Sequence, residues 1–173
     1  SVEYVIEELK RTRKLGSQIL YLDDNFYGNP DYSLELLEAI AQNGLNTKPG
    51  LVQLPVRAAE NQRYLTALRK AGIRYVAIGL ESRVDEPLVA YGKPFGAKQN
   101  REAVETFREN GLWVHGLMMP GGDGDTPETL RETSHWVNEN LDTAEFFPPT
   151  PYPGTRFYEQ MRSEGRILTQ DLS

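Results

Sequence analysis

Apolar residues along the chain follow two alternating rhythms. Over residues 2–15, Val2, Val5, Ile6 and Leu9 fall on one helical face with Glu and Lys opposite, and Gly16 ends the pattern. Ile19-Leu20-Tyr21-Leu22 then runs unbroken, the mark of a short buried strand, and Asn29-Pro30-Asp31 has turn chemistry. The unit repeats. Leu34, Leu37, Ile40 and Ala41 predict a helix; Leu51 to Val56 a strand that Pro55 weakens or ends; Tyr64, Leu65, Leu68 and Ala71 a helix closed by Gly72. Tyr75 to Leu80 is the clearest strand. A short helix fits 83–91, a loop Gly92 to Gly96, and a helix 98–110 with Val104 and Phe107 inward. Leu112 to Met118 predicts a strand and Pro120 to Asp125 a glycine-rich loop. Thr126-Pro127-Glu128 opens a helix through Leu130, Val137 and Leu141, with Thr as N-cap and Pro at its first position. Ala144 to Phe147 is a fifth strand, Pro148 to Gly154 a rigid loop, and Phe157, Tyr158 and Met161 mark a last helix.

One helix followed by five strand–helix units predicts an α/β fold, a parallel sheet covered by helices. Right-handed crossovers bring every strand's C-terminal end to one edge, where barrels and open sheets carry their chemistry. No linker divides residues 1–173, which read as one domain. Charge and composition narrow the class. Charged residues are 25%, the net charge is −6, and basic residues are scattered, so a nucleic-acid partner is not expected. No apolar run approaches the roughly 18 residues of a membrane span, and no signal pattern opens the chain, so a cytoplasmic location is expected. There is no cysteine, which excludes disulfides, thiol nucleophiles and thiolate-held metals within these residues. The chain opens with Ser1 and is already helix-patterned, so it is expected to be a piece of something longer.

The expected edge collects Asp23-Asp24-Asn25, Arg57, Glu81-Ser82, the segment Gly116 to Asp125, and Pro151-Tyr152-Pro153-Gly154-Thr155. Asp23 and Asp24 fit metal or ammonium binding, but taken alone they read better as a turn with a helix cap. Arg57 fits a carboxylate clamp or a solvated loop charge. Glu81, ending a buried strand, needs a partner: a ligand or a neighbouring loop. His115 reads as an interior group, His135 as a packed or solvated helix residue, and Met118 and Met119 ordinarily as core. Gly121, Gly122 and Gly124 permit close backbone approach, without the pattern of a dinucleotide or phosphate loop. Asp125 and Thr126 most simply cap the next helix. Tyr152 between two prolines is either a rigid platform for a planar group or part of a strand-to-helix turn.

Taken together, Leu22-Asp23-Asp24-Asn25-Phe26, Ala71-Gly72, Ile78-Gly79-Leu80-Glu81-Ser82, His115 to Gly121, Asp123 to Thr126 and Pro151 to Thr155 resemble the radical S-adenosylmethionine superfamily. The resemblance covers about residues 1–168 and is closest to the branch often carrying a cobalamin domain ahead of the barrel. It implies a partial (β/α)6 TIM-like barrel, truncated before its first strand, leaving five parallel strands with flanking helices. It implies cofactor-binding roles at matching positions. Asp23, Asp24 and Asn25 would meet the methionine amino group, although they depart from the family's frequent Gly-Gly-Glu. Glu81 and Ser82 would meet ribose or methionine. Gly116, Met118, Met119 and Gly121 would lie along adenine, Tyr152 near the same edge, and Arg57 would face ligand or substrate. No residue is assigned as catalytic, and none as a metal ligand.

The family's Cys-x-x-x-Cys-x-x-Cys loop, which holds a [4Fe–4S] cluster, has no counterpart in the chain. The expectation is truncation: the cluster's ligands lie outside this chain, upstream, where this branch also often carries a cobalamin domain. The intact enzyme would use an electron donor to cleave S-adenosylmethionine to a 5′-deoxyadenosyl radical, for hydrogen abstraction, methylation or rearrangement of a small-molecule, peptide or lipid substrate. The fragment alone would be inactive, and its open sheet edge would favour self-association. Two alternatives stand: a metal-dependent barrel hydrolase using Asp23, Asp24, Glu81, Asp123 and Asp125, and a cluster-less α/β binding module.

Overall fold

The computed structural model describes residues 1–90, 92 and 95–169. Tyr91, Lys93 and Pro94, in the expected helix 83–91 and loop Gly92 to Gly96, lie outside the described residues. The elements run α1 (Val2–Thr12), β1 (Ile19–Leu20), α2 (Pro30–Gln42), β2 (Gly50–Leu54), a 3-10 turn (Val56–Glu60), α3 (Gln62–Lys70), β3 (Ile73–Glu81), α4 (Asp85–Ala90), α5 (Ala97–Glu109), β4 (Trp113–Met118), α6 (Pro127–Asn140), β5 (Thr143–Phe146) and α7 (Arg156–Ser163). The strands form one parallel sheet in the order β1-β2-β3-β4-β5. It curls into a half-barrel, with each strand beside its sequence neighbour.

Helix starts follow from side chains that accept the orphan amides of a first turn. Ser1, Asn29, Asn61, Thr126 and Thr155 each accept the N–H three residues ahead. Two starts need glycine or proline chemistry: Pro30 and Pro127 follow their caps directly. Gly72 ends α3 at φ +84°, where a Cβ would also come within 2.8 Å of the Asn46 carbonyl oxygen. Its carbonyl accepts the Gly50 N–H at 3.0 Å, tying the end of α3 to the start of β2.

Strand alternation separates two faces. Val52, Leu54, Val76, Ile78, Leu80, Val114 and Met118 are buried against the helices, with Leu37, Ile40, Leu65, Leu68 and Phe107 completing that core. The register puts Leu51, Gln53, Tyr75, Ala77, Gly79, Trp113, His115, Leu117, Thr143 and Glu145 on the other face. That face is open: Trp113 is 57% exposed, edge-on to Tyr75 at 5.6 Å.

Two expectations are corrected. Helix α1 stops at Thr12 rather than residue 15, since no buried partner waits beyond Leu9. The apolar run Ile19 to Leu22 is not a buried strand. Only Ile19 and Leu20 pair regularly, and Leu20 and Leu22 are 57% and 86% exposed, because β1 is a sheet edge. Pro55 lies just past β2 and opens the 3-10 turn. No helix among the described residues is long and apolar enough to cross a membrane.

Gly116 faces the helices, where a Cβ would strike Leu141 Cδ1 and lie 3.2 Å from Leu80 Cδ1. Gly116→Ala should therefore destabilise the chain by about 1–3 kcal/mol through overpacking. Urea unfolding measures this, and an unchanged midpoint would refute it.

Candidate functional site

The C-terminal ends of β1 and β2 are joined by an aromatic cluster rather than by a longer ladder. Beyond Leu20, the Tyr21 N–H still reaches the Leu51 carbonyl at 3.0 Å, and the Phe26 N–H reaches that of Gln53 at 3.0 Å. Phe26 is buried with its ring 5.3 Å from Tyr21; Tyr27 meets Tyr64 edge-on at 4.7 Å and accepts Asn61 Nδ2 at 3.1 Å. Burial pushes the Tyr21 and Tyr64 phenols up to about 12, so both stay neutral anchors. Between these anchors Asp23, Asp24 and Asn25 are exposed on a turn closed by the Gly28 N–H on the Asn25 carbonyl, 2.9 Å. Arg57 is exposed at the β2 end with its guanidinium 5.9 Å from the Tyr27 ring centroid.

The end of β3 is the most constrained backbone in the site. Glu81 adopts φ +59°, the left-handed region that residues with a Cβ seldom occupy. The Ser82 N–H bonds back to the Leu80 carbonyl at 2.7 Å, closing a three-residue turn with Glu81 at its centre. The ladder shifts register between Gly79 and Glu81, and the Glu81 carbonyl accepts the Met119 N–H at 2.7 Å. Asn100 of α5, 2% exposed, donates Nδ2 to the Leu80 carbonyl at 2.8 Å and to that of Ser82 at 3.4 Å. Ser82 is itself buried, and its hydroxyl accepts the Val84 N–H at 3.0 Å, starting the turn into α4.

After β4 the glycine-rich loop folds on its own carboxylate: Asp125 Oδ2 accepts the N–H groups of Gly121 and Gly122 at 2.8 and 3.2 Å. Asp123 pairs with both terminal nitrogens of Arg166, at 2.9 and 2.8 Å, and that guanidinium holds its carboxyl below the usual range. The loop, Pro149, Pro151, α7 and Arg166 enclose a cavity of about 230 Å³. Phe146 at the end of β5, and Phe147 and Tyr152 after it, are exposed. The Tyr152 carbonyl takes both the N–H and the hydroxyl of Thr155, which caps α7. A separate groove of about 530 Å³ between α2 and α3 lies away from all of this. Of the strand-end residues, those of the loop after β4 and of the segment after β5 line the smaller cavity, while Asp23, Asp24, Asn25 and Arg57 lie on exposed surface.

The sheet thus brings Asp23, Asp24, Asn25, Arg57, Glu81, Ser82, Met119, Gly121 and Tyr152 to one edge. At two of the expected contact positions a ligand would meet backbone. Met118 is 1% exposed and its side chain belongs to the core, while Gly116 is glycine for the sake of Leu141 and Leu80; at both, only the backbone is left for a ligand. The hydrolase alternative finds no support. Asp123 and Asp125 are engaged with Arg166 and the loop amides, and no group of three or more His, Asp or Glu among the described residues could hold a metal ion.

Pattern gives Asn100 and Arg166 no role, and it places His115 inside. Asn100 and Arg166 lie 19 and 43 positions from Glu81 and Asp123, too far for any local motif to pair them. His115, expected inside, stands half-buried on the open face, its Nδ1 2.8 Å from Thr143 Oγ1 and its Nε2 3.6 Å from Glu145 Oε2.

Comparison with known proteins gives a consistent result. The family described as the Radical SAM superfamily matches residues 1–137. An uncharacterized methyltransferase of Pyrococcus horikoshii, PH0819, is 31% identical across 99% of the chain and 38% of its own length. The hopanoid C-3 methylase of Methylococcus capsulatus is 29% identical across 98% of the chain and 32% of its length. The chain therefore spans about a third of these relatives. In fold it is similar to the radical S-adenosylmethionine methyltransferase TsrM of Kitasatospora setae, solved with cobalamin and a [4Fe-4S] cluster bound. The TM-score is 0.78 at 19% identity, over 95% of the chain and 32% of that structure.

The left-handed conformation of Glu81 carries a cost that glycine does not. Glu81→Gly is expected to raise stability by about 1 kcal/mol, read by urea unfolding. A loss of stability would show that the Glu81 side chain contributes more than its backbone costs.

Proposed function

The chain belongs to the radical SAM superfamily, and from that premise we propose that residues 1–173 act as the larger part of one catalytic core domain whose strand ends hold S-adenosylmethionine. The observation that carries this reading is the order of charge along the sheet edge. Carboxylates follow β1, a guanidinium follows β2 and a carboxylate ends β3. A zwitterionic amino acid asks for this set, with acceptors for its ammonium beside a cation for its carboxylate. Asp23, Asp24 and Asn25 would take the ammonium and Arg57 the carboxylate. Glu81 and Ser82 would meet ribose hydroxyls or the methionine portion. The backbone of Gly116, Met118, Met119 and Gly121 would lie along the adenine, with Tyr152 at its edge. When bound, S-adenosylmethionine supplies the reactive carbon group, as a methyl or a carbon radical.

The chain's own residues bind and orient. Tyr27 stacks beneath Arg57, and Phe26 pins the Asp23 to Asn25 turn, so neither has to be ordered when the ligand arrives. The substrate would lie on the open sheet face, over Ala77 and Gly79, with Tyr75 and Trp113 below and His115 beside it. We read the reaction as methyl transfer to a small, largely apolar molecule in the cytoplasm, in line with relatives named as methyltransferases and methylases. The family's [4Fe–4S] cluster does not fit the residues present, because thiolates hold such clusters and the chain has no cysteine. In this proposal its ligands, an attached cobalamin domain and the docking site of an electron donor lie outside residues 1–173.

The test takes the protein as its gene encodes it, reconstituted anaerobically with iron and sulfide and supplied with reductant. Cleavage or demethylation of S-adenosylmethionine is expected. Arg57→Ala and Glu81→Gln should each lower its rate about tenfold or more, the worth of one charge-assisted hydrogen bond. Unchanged rates in both variants would refute the site. A coding sequence without Cys-x-x-x-Cys-x-x-Cys ahead of Ser1 would refute the placement of the cluster.

The bare edge at β1 adds a second expectation. With Leu20 and Leu22 exposed beside unpaired strand backbone, residues 1–173 in isolation should self-associate. Sedimentation velocity should show dimers or larger species, and a single monomer peak at all concentrations would overturn this.

A further inference from the structure

We propose that Asn100 is the positioning residue that aims Glu81, and with it the acidic end of the ligand site at β3. The proposal rests on the reading of Glu81 as a ligand-binding carboxylate. Its foundation is the backbone around that residue. Glu81 is the one non-glycine residue with positive φ among the described residues, at +59°. Its two flanking carbonyls, those of Leu80 and Ser82, both accept from Asn100 Nδ2, at 2.8 and 3.4 Å. A primary amide nitrogen has two hydrogens, so one side chain spans the whole turn.

Helix packing alone does not call for asparagine here. Asn is a poor helix former, and this one sits inside α5 at 2% exposure with its Oδ1 unpartnered. A buried acceptor left without a donor is unfavourable, so the residue lowers stability at one atom while holding two carbonyls with another. The mount is rigid. The Ala97 N–H bonds Asp85 Oδ1 at 2.7 Å, tying the start of α5 to α4, and the Gly96 N–H bonds Gln99 Oε1 at 2.6 Å, closing the first turn of α5 on itself. On the other side the Met119 N–H holds the Glu81 carbonyl at 2.7 Å.

Direction is the consequence. Successive side chains of a strand point to opposite faces, so relaxing residue 81 to extended backbone would swing its carboxylate about the edge. Asn100 closes that route. It touches no ligand in this scheme and acts through Glu81.

The experiment titrates S-adenosylhomocysteine by calorimetry into the gene-encoded protein and its variants. Glu81→Gln should weaken binding. Asn100→Ala should weaken it about tenfold in the parent and less than about twofold in the Glu81→Gly background, since a residue acting through Glu81 has nothing left to position. Hydrogen exchange at the Ser82 amide should speed up in Asn100→Ala. Asn100→Leu, which fills the space without a donor, gives the same comparison where Asn100→Ala does not fold. Binding by Asn100→Ala within about twofold of the parent, beside a weakened Glu81→Gln, overturns the role of Asn100 and leaves the site standing. Equal losses in both backgrounds also overturn it. Parent-like binding by Glu81→Gln removes the reading of the site, and the role of Asn100 with it.

Discussion

The parallel hydrogen-bond ladder is the constraint on which the rest of the molecule depends. Strands that run the same way must be joined by crossovers, and here each crossover carries a helix to the same face. That face becomes the core, with Val52, Val76, Ile78, Val114 and Leu80 against Leu37, Leu65, Leu68 and Phe107. Two results follow from the same geometry. Every strand ends at one edge, so polar residues distant in sequence meet there. Among the described residues no helix covers the opposite face, so Trp113, His115 and Glu145 remain exposed or half-exposed there.

The edge is then stiffened at separate points, each by a different device. Aromatic packing does it at β1 and β2, where Tyr21, Phe26, Tyr27 and Tyr64 make a neutral anchor under the exposed charges. At β3 a left-handed residue is held by a buried amide. Beyond β4, Asp125 gathers the amides of Gly121 and Gly122, and the Asp123–Arg166 pair draws the segment after α7 onto the loop. That pair is exposed and screened, so it fixes geometry more than it stabilises the fold. Strain at Glu81 and the orphaned Oδ1 of Asn100 sit within one turn of each other. Local unfavourable features that collect at the edge proposed to bind the ligand are expected where function, rather than stability, sets the backbone.

The architecture was legible in advance because it is written in short-range pattern. Thr126-Pro127 announced the start of α6, Gly72 the end of α3, and Tyr75 to Leu80 the buried strand, each through chemistry confined to a few neighbouring residues. Where the pattern misled, the missing information was environment. Leu20 and Leu22 look like a buried strand, yet the edge position of β1 exposes them. Met118 reads as core by pattern, and strand alternation does turn its side chain into the core.

Sequence by itself determined the order of elements, the collection of Asp23, Arg57, Glu81 and Tyr152 at strand ends, and the resemblance to a family. Periodicity, capping and turn chemistry act between near neighbours, so no folding was needed to read them. Only the tertiary structure decided that Glu81 is left-handed and held by Asn100, that Arg166 closes on Asp123, and that His115 faces outward with Thr143 and Glu145. Those pairings depend on register and helix placement. Such quantities are set by the packing of the whole sheet and leave no periodic trace in the chain.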